Sequence, residues 1–207
     1  MPHLKGIDHI TFACATGMIK KWAWFHIEVE GGTLIYRSDD IRPADPDSSM
    51  KLWCIDFGSF GVALIEGIDR ASKSQVTTFV ERHGDHSVQH IAFQVNDLEQ
   101  FQNHFESMGG RARGPMLERV DGFGFVKQVF ARGYSTGNAA EASFPEYVER
   151  PRVDSIQRAQ ITFDGKAGRG FYDQIEDAIA NNDLEPSFSF SKMPTNWQLP
   201  IPRSLNA

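Results

Sequence analysis

Two histidines in matching contexts carry the chemistry of this sequence. Residues 7–14 read Ile-Asp-His-Ile-Thr-Phe-Ala-Cys and residues 88–95 read Val-Gln-His-Ile-Ala-Phe-Gln-Val, each with His third, then Ile, a small residue and Phe. Alternation along a half-buried strand puts His9, Thr11 and Ala13 on one face, and in the second run His90, Ala92 and Gln94. The echo continues downstream. Glu66 follows His9 by about 57 positions and Glu146 follows His90 by about 56, which signals an internal repeat. Each copy offers a histidine on its first strand and a carboxylate on its last. Two copies packed about a pseudo-two-fold axis could bring these groups to one point, and imidazole with carboxylate suits a divalent metal.

The elements that must position them are legible from periodicity. Residues 4–13 read as a strand, and 17–29 as a helix burying Ile19, Trp22, Ala23, Phe25 and Ile27 and ended by Gly31-Gly32. A short strand at 33–37 precedes a solvated loop at 38–49, rich in proline and aspartate, and strands at 50–57 and 61–68 follow, joined by a tight turn. The second unit repeats the order: strand 88–95, helix 97–108 capped by Asn96 or Asp97, a short strand near 116–120, then strands 123–130 and 142–148. The fold class expected is α+β, two β-α-β-β-β modules (4–70 and 88–150, with linker 71–87 and its short helix at 74–82) forming one domain over 1–150. Residues 151–207 form a connector, a helix over 168–180 with Phe171, Ile175 and Ala178 or Ile179 on one face, and a tail. Such a helix cannot form a core alone and should pack on the double module.

Composition narrows the function. A chain of 207 residues with 41% hydrophobic and 12% aromatic content is globular, neither disordered nor a coiled coil. A net charge of −6 argues against binding a nucleic-acid backbone. Apolar runs are strand-sized, so no membrane span is expected, and the first residues lack a hydrophobic signal core. Cys14 and Cys54 lie in apolar runs and read as buried thiols, in keeping with a cytoplasmic protein.

At residues 74–95, Ser-Gln-Val-Thr-Thr-Phe-Val-Glu-Arg-His-Gly followed by Val-Gln-His-Ile-Ala-Phe, the sequence resembles the linker and second metal-ligand strand of the 4-hydroxyphenylpyruvate dioxygenase family, within the vicinal oxygen chelate superfamily. Ile7-Asp-His-Ile resembles that family's first ligand strand, Phe125-Val-Lys-Gln-Val-Phe its strand with a substrate-facing Gln, and Ser143-Phe-Pro-Glu-Tyr-Val-Glu-Arg its strand with the ligand Glu. The match spans roughly residues 4 to 180 and covers the family's catalytic C-terminal half.

The resemblance implies an open curved sheet holding Fe(II) through His9, His90 and Glu146. In the resembled family an α-keto acid chelates the metal, dioxygen takes the remaining position, and oxidative decarboxylation is coupled to hydroxylation. Two histidines and a carboxylate on one face of a six-coordinate ion leave the three positions this needs. Gln128 is expected to contact substrate, as is Glu66, as a carboxylate beside the metal rather than a fourth ligand. Phe171, in the lid helix, is expected to cover the site. Lys166 and Gly170 replace a Phe and an Asn of the family's lid motif, and Pro145 replaces a Phe before the ligand Glu, so the substrate is expected not to be 4-hydroxyphenylpyruvate. The expected partners are a small-molecule substrate and dioxygen; a homodimer is allowed. The rivals are a glyoxalase-like lyase or isomerase using Zn or Ni at His9, Glu66, His90 and Glu146 together, and a non-catalytic small-molecule binder. His83 and His86 read as solvated-loop residues, His26 shows no partner pattern, and Trp53 could face the pocket.

Overall fold

A run such as Ala63-Leu64-Ile65, apolar at consecutive positions, suits a strand buried on both faces, and such runs form the middle of the sheet here. The computed structural model describes residues 4–121, 124–134, 142–150 and 165–183, and of residues 119–121, 124–125, 165–169 and 171 the backbone only. The elements are β1 (Leu4–Cys14), α1 (Ile19–Trp24) continued by a π-helical turn (Phe25–Val29), β2 (Thr33–Ser38), β3 (Ser48–Asp56), β4 (Gly61–Asp69), α2 (Gln75–His83), β5 (Ser87–Val95), α3 (Leu98–Ser107), β6 (Leu117–Asp121), β7 (Gly124–Phe130), β8 (Phe144–Glu149) and α4 (Gly165–Ala180). The two β-α-β-β-β modules are present, joined through α2.

The strands form one curled mixed sheet in the order β2-β3-β4-β1-β5-β8-β7-β6. Each module pairs its first strand in parallel with its last, β1 with β4 and β5 with β8. The modules meet where β1 runs antiparallel to β5. This seam brings the two histidine strands side by side.

Alternation sorts the side chains into two layers. On the outer face, Ile19 and Ala23 of α1 pack with Cys14, Ile55, Val62 and Leu64, and Leu98 and Phe101 of α3 with Val95, Val129 and Tyr147. The inner, concave face gathers Ala13, Leu52, Cys54, Ile65, Phe130 and Phe144 with Val76 and Phe79 of α2 and Tyr172 and Ile175 of α4. Both cysteines are free and buried, as their apolar surroundings predict, and they lie in different layers.

Local chemistry fixes where the helices start. The Ser74 hydroxyl accepts from Val76 N at 3.3 Å to begin α2, and the Asp97 carboxylate accepts from Gln100 N at 2.8 Å to begin α3. Helix α2 lies so close on β4 that a Cβ at Gly67 would fall 2.2 Å from Thr77 Oγ1. Helix α4 starts three residues before the expected 168. It is anchored by Tyr172, whose hydroxyl is 2.5 Å from Ser48 Oγ and 3.4 Å from Ser74 Oγ, and by an Asp173 to Arg42 ion pair of 3.1 Å. No described helix is long and apolar enough to cross a membrane.

Candidate metal centre

The transverse pairing of three neighbouring strands builds the site. His9 on β1 stands opposite Ala92 on β5, and Ala92 stands opposite Glu146 on β8. The row is therefore His, Ala, Glu, and the small middle residue lets the two long side chains meet above it. His90, two residues before Ala92 on the same face, completes the group. His9 Nε2 is 3.3 Å and His90 Nε2 3.4 Å from Glu146 Oε2, and all three side chains are buried.

The donors fit a divalent ion. One ligand atom from each of His9, His90 and Glu146 lies within 4.8 Å of the others, so the triad could bind a metal ion, and among the described residues no other such group of three is found. Separations near 3.3 Å match the roughly 3 Å between neighbouring donors around a first-row ion with bonds of about 2.1 Å. The ring nitrogens turned away from the cluster are held from behind: His9 Nδ1 donates to Asp8 Oδ1 at 3.0 Å and His90 Nδ1 to Gln89 Oε1 at 3.3 Å. His90 Nε2 in turn accepts from the Thr11 hydroxyl at 2.8 Å, so its lone pair is directed into the site and is held by Thr11, which a metal ion would displace. The ring of His90 is braced by Phe144, stacked at 4.9 Å.

Electrostatics make the two imidazoles different. Burial alone would lower the proton affinity of His9, but the charge of Glu146 and the bond to Asp8 outweigh it and raise its pKa to about 9. Burial and the neighbouring charge of His9 push His90 well below the ordinary histidine value. For Asp8, burial is opposed by its bonds to His9 and Arg150, which hold it well below the usual carboxylate range.

The other expected site residues divide. Gln128 is buried on β7 opposite Val148, two residues from Phe130, which stands opposite Glu146, so its amide shares the concave face with the triad. Glu66 is not brought to the triad. Its register partner is Cys14, and it belongs to the outer layer with Val62 and Leu64, where Oε2 accepts from Ile19 N at 3.0 Å and Oε1 from Lys51 Nζ at 2.5 Å. It begins helix α1 and pairs with a lysine. The position in the first module that matches Glu146 is Ala63, opposite Thr11 as Glu146 is opposite Ala92. Pro145, adjacent to Glu146 on β8, points to the other face, and Trp53 packs in the outer layer with its indole N–H on Asp39 Oδ1 at 3.0 Å. The side chain of Phe171 lies outside the described residues.

Sequence reasoning missed a second histidine pair. His86, held at a positive φ of 58° just before β5, is stacked between Trp22 at 3.8 Å and Phe12 at 4.3 Å, and its Nε2 lies 2.9 Å from His26 Nε2. His26 Nδ1 in turn donates to Glu30 at 2.5 Å. Sixty residues separate the partners, and no local pattern links them.

No family model matches the sequence, and no curated protein sequence matches it. Solved structures do share its fold. A triple mutant of 4-hydroxymandelate synthase from Streptomyces coelicolor superposes with a TM-score of 0.67 at 18% identity, over 85% of this chain and 55% of that one, so the chain spans about half the length of that protein. A hypothetical protein from Bacillus halodurans gives 0.50 at 19% identity over 71% of this chain and 95% of that one. Methylmalonyl-CoA epimerase from Mycobacterium tuberculosis gives 0.47 at 19% identity, over 72% and 90%. These likenesses show the fold alone, the curled mixed sheet of the vicinal oxygen chelate type.

Proposed function

We propose that the chain is a non-haem Fe(II)-dependent dioxygenase acting on an α-keto acid or a related small molecule that chelates the metal. The observation that carries this reading is the number of protein donors. Three converge on the concave face, and the fourth candidate donor, the Glu66 carboxylate, is engaged by Ile19 N and Lys51 in the outer layer. Two histidines and one carboxylate leave open positions for a two-point chelator and for oxygen, the donor set associated with non-haem Fe(II) oxygenases. The glyoxalase-like rival with two histidines and two glutamates lacks its fourth ligand.

His9, His90 and Glu146 would hold the metal, which supplies chelation of the keto acid and the reduction of dioxygen. The rest falls to the chain. Ala92 keeps the floor of the site low enough for His9 and Glu146 to meet over it. Gln128, a neutral amide on the same face, is suited to donate to the carboxylate of a bound acid without competing for the metal. Helix α4, anchored through Tyr172, covers part of the concave face and limits access of water, as lids do. The substrate is not 4-hydroxyphenylpyruvate, because Lys166 and Gly170 replace an apolar wall and a polar contact in the lid.

Oxygen consumption by the Fe(II)-loaded protein with a panel of α-keto acids tests the proposal. Uptake stoichiometric with release of carbon dioxide, lost in Glu146→Ala, is expected. Metal-loaded protein that consumes no oxygen with any member of the panel would overturn it, and rapid turnover of 4-hydroxyphenylpyruvate would overturn the substrate assignment.

A further inference from the structure

The residue before each triad histidine should point to the opposite face of the sheet, yet both reach the histidine beside them. The β1–β5 ladder explains this. Ile7 pairs with Phe93 and His9 with Ala92, so Asp8 is passed over; Thr11 pairs with His90 and Phe12 with Val88, so Gln89 is passed over. Each is the extra residue of a β-bulge, the local device that re-aims a side chain. The two bulges occupy equivalent places in the two modules, and each delivers an oxygen to the Nδ1 edge of the next histidine, at 3.0 Å from Asp8 and 3.3 Å from Gln89.

The two oxygens differ in kind. Asp8 is a buried carboxylate that also takes Arg150 Nε at 2.8 Å, reaching across β5 from the end of the Glu146 strand. Gln89 is a buried neutral amide whose Nε2 donates at 3.0 Å to Oε1 of the buried Gln75, the first residue of α2. A carboxylate behind an imidazole strengthens it as a donor through its other nitrogen; an amide fixes the ring with little added charge.

We propose that Asp8 and Gln89 are positioning residues that make the two histidines unequal ligands, His9 a strong, charge-backed donor and His90 a weaker, neutral one, with the difference set by the side chains at the paired bulges. This rests on the triad being a metal centre. Asp8 also ties the two modules together through Arg150, so the strong ligand sits at the point where the first module is clamped to the second.

The test uses the full chain and Co(II), whose visible spectrum and hyperfine-shifted ring N–H resonances report each histidine apart from turnover. Asp8→Asn keeps the acceptor oxygen and removes the charge; it should weaken Co(II) binding by about 10–100-fold and move the N–H resonance of His9 while that of His90 stays. Gln89→Glu places a carboxylate at the second bulge and should tighten binding and move the His90 resonance. Metal-free stability, measured alongside by urea denaturation, separates a purely structural role, which would lower stability and leave affinity unchanged. Affinity within twofold of wild type in Asp8→Asn, or Gln89→Glu weakening binding, would overturn the inference. Wild type that binds no Co(II), or His9→Ala that binds as wild type does, would fail the metal centre itself and the inference with it.

Discussion

Replacing Ala92 with Leu should separate the metal site from the fold. Ala92 is fully buried and stands in the transverse row between His9 and Glu146. Neighbouring strands are about 4.8 Å apart, so the backbones of His9 and Glu146 lie about 10 Å apart across β5, and their side chains close to 3.3 Å directly above the Ala92 methyl. A leucine at this point adds three carbons in the space where the donors meet. Overpacking of this kind costs about 1–3 kcal/mol, and for a chain of this size each kcal/mol lowers the melting temperature by about 2–4 °C. The expected loss is therefore on the order of 2–12 °C, with the sheet retained, while Co(II) affinity falls by at least about two orders of magnitude because one histidine and the glutamate no longer share an ion. Ala92→Gly, which leaves the row open, should keep the affinity. The assays are thermal unfolding and Co(II) titration of the same preparations. A folded Ala92→Leu protein binding Co(II) as wild type does would refute the assignment of this row as the floor of the site.

Three further outcomes follow from the packing and charges. Tyr172→Phe leaves the buried Ser48 hydroxyl without its 2.5 Å partner and should cost about 1–3 kcal/mol in urea denaturation; a loss under about 0.5 kcal/mol would show that α4 is held mainly by its apolar face. Glu66→Ala should destabilise by a similar 1–3 kcal/mol, since Ile19 N loses its acceptor, yet leave Co(II) affinity unchanged; impaired metal binding would return Glu66 to the site. His86 is lowered by burial and by the charge of His26, against the opposing effect of Asp85 and Glu30, so the folded chain takes up this proton less readily than the unfolded one. The stability it contributes is present above the ordinary histidine value of 6.5 and lost as pH falls below it, and His86→Phe, which can keep the stack on Trp22 and Phe12, should flatten urea midpoints between pH 7.5 and 5.5 (about two pH units around that value); an unchanged slope would contradict the assignment.

The histidine strands and the repeated order of elements were readable because alternation within one strand is a local rule, whereas Glu146 was named from its interval to His90 and from the resemblance of its strand to a known ligand strand. Glu66 shows where such reading fails. Its interval from His9 differs from the His90 to Glu146 interval by a single residue, but the register in the first module matches Glu146 to Ala63, three positions earlier, and an odd offset in a strand of period two means the opposite face. Intervals across loops of unequal length do not encode register. Asp8 and Gln89 were hidden for a related reason: strict alternation sends them to the far side of the sheet, and only bulges, set by the pairing of two strands far apart in sequence, bring them back. Tyr172 lay one position from Phe171 in a helix whose apolar face was read correctly at Ile175 and Ala178.

The antiparallel seam between β1 and β5 divides the triad unevenly, one donor from the first module and two from the second. An ion held there is a rivet between two halves of one chain. Saturation at 100 times the dissociation constant would add about 2.7 kcal/mol to the folded state, and that increment is concentrated at the joint rather than spread over the sheet. Chelation should then show first as fraying along β1 and β5, visible as faster amide exchange at the seam while the two outer layers under α1 and α3 stay protected.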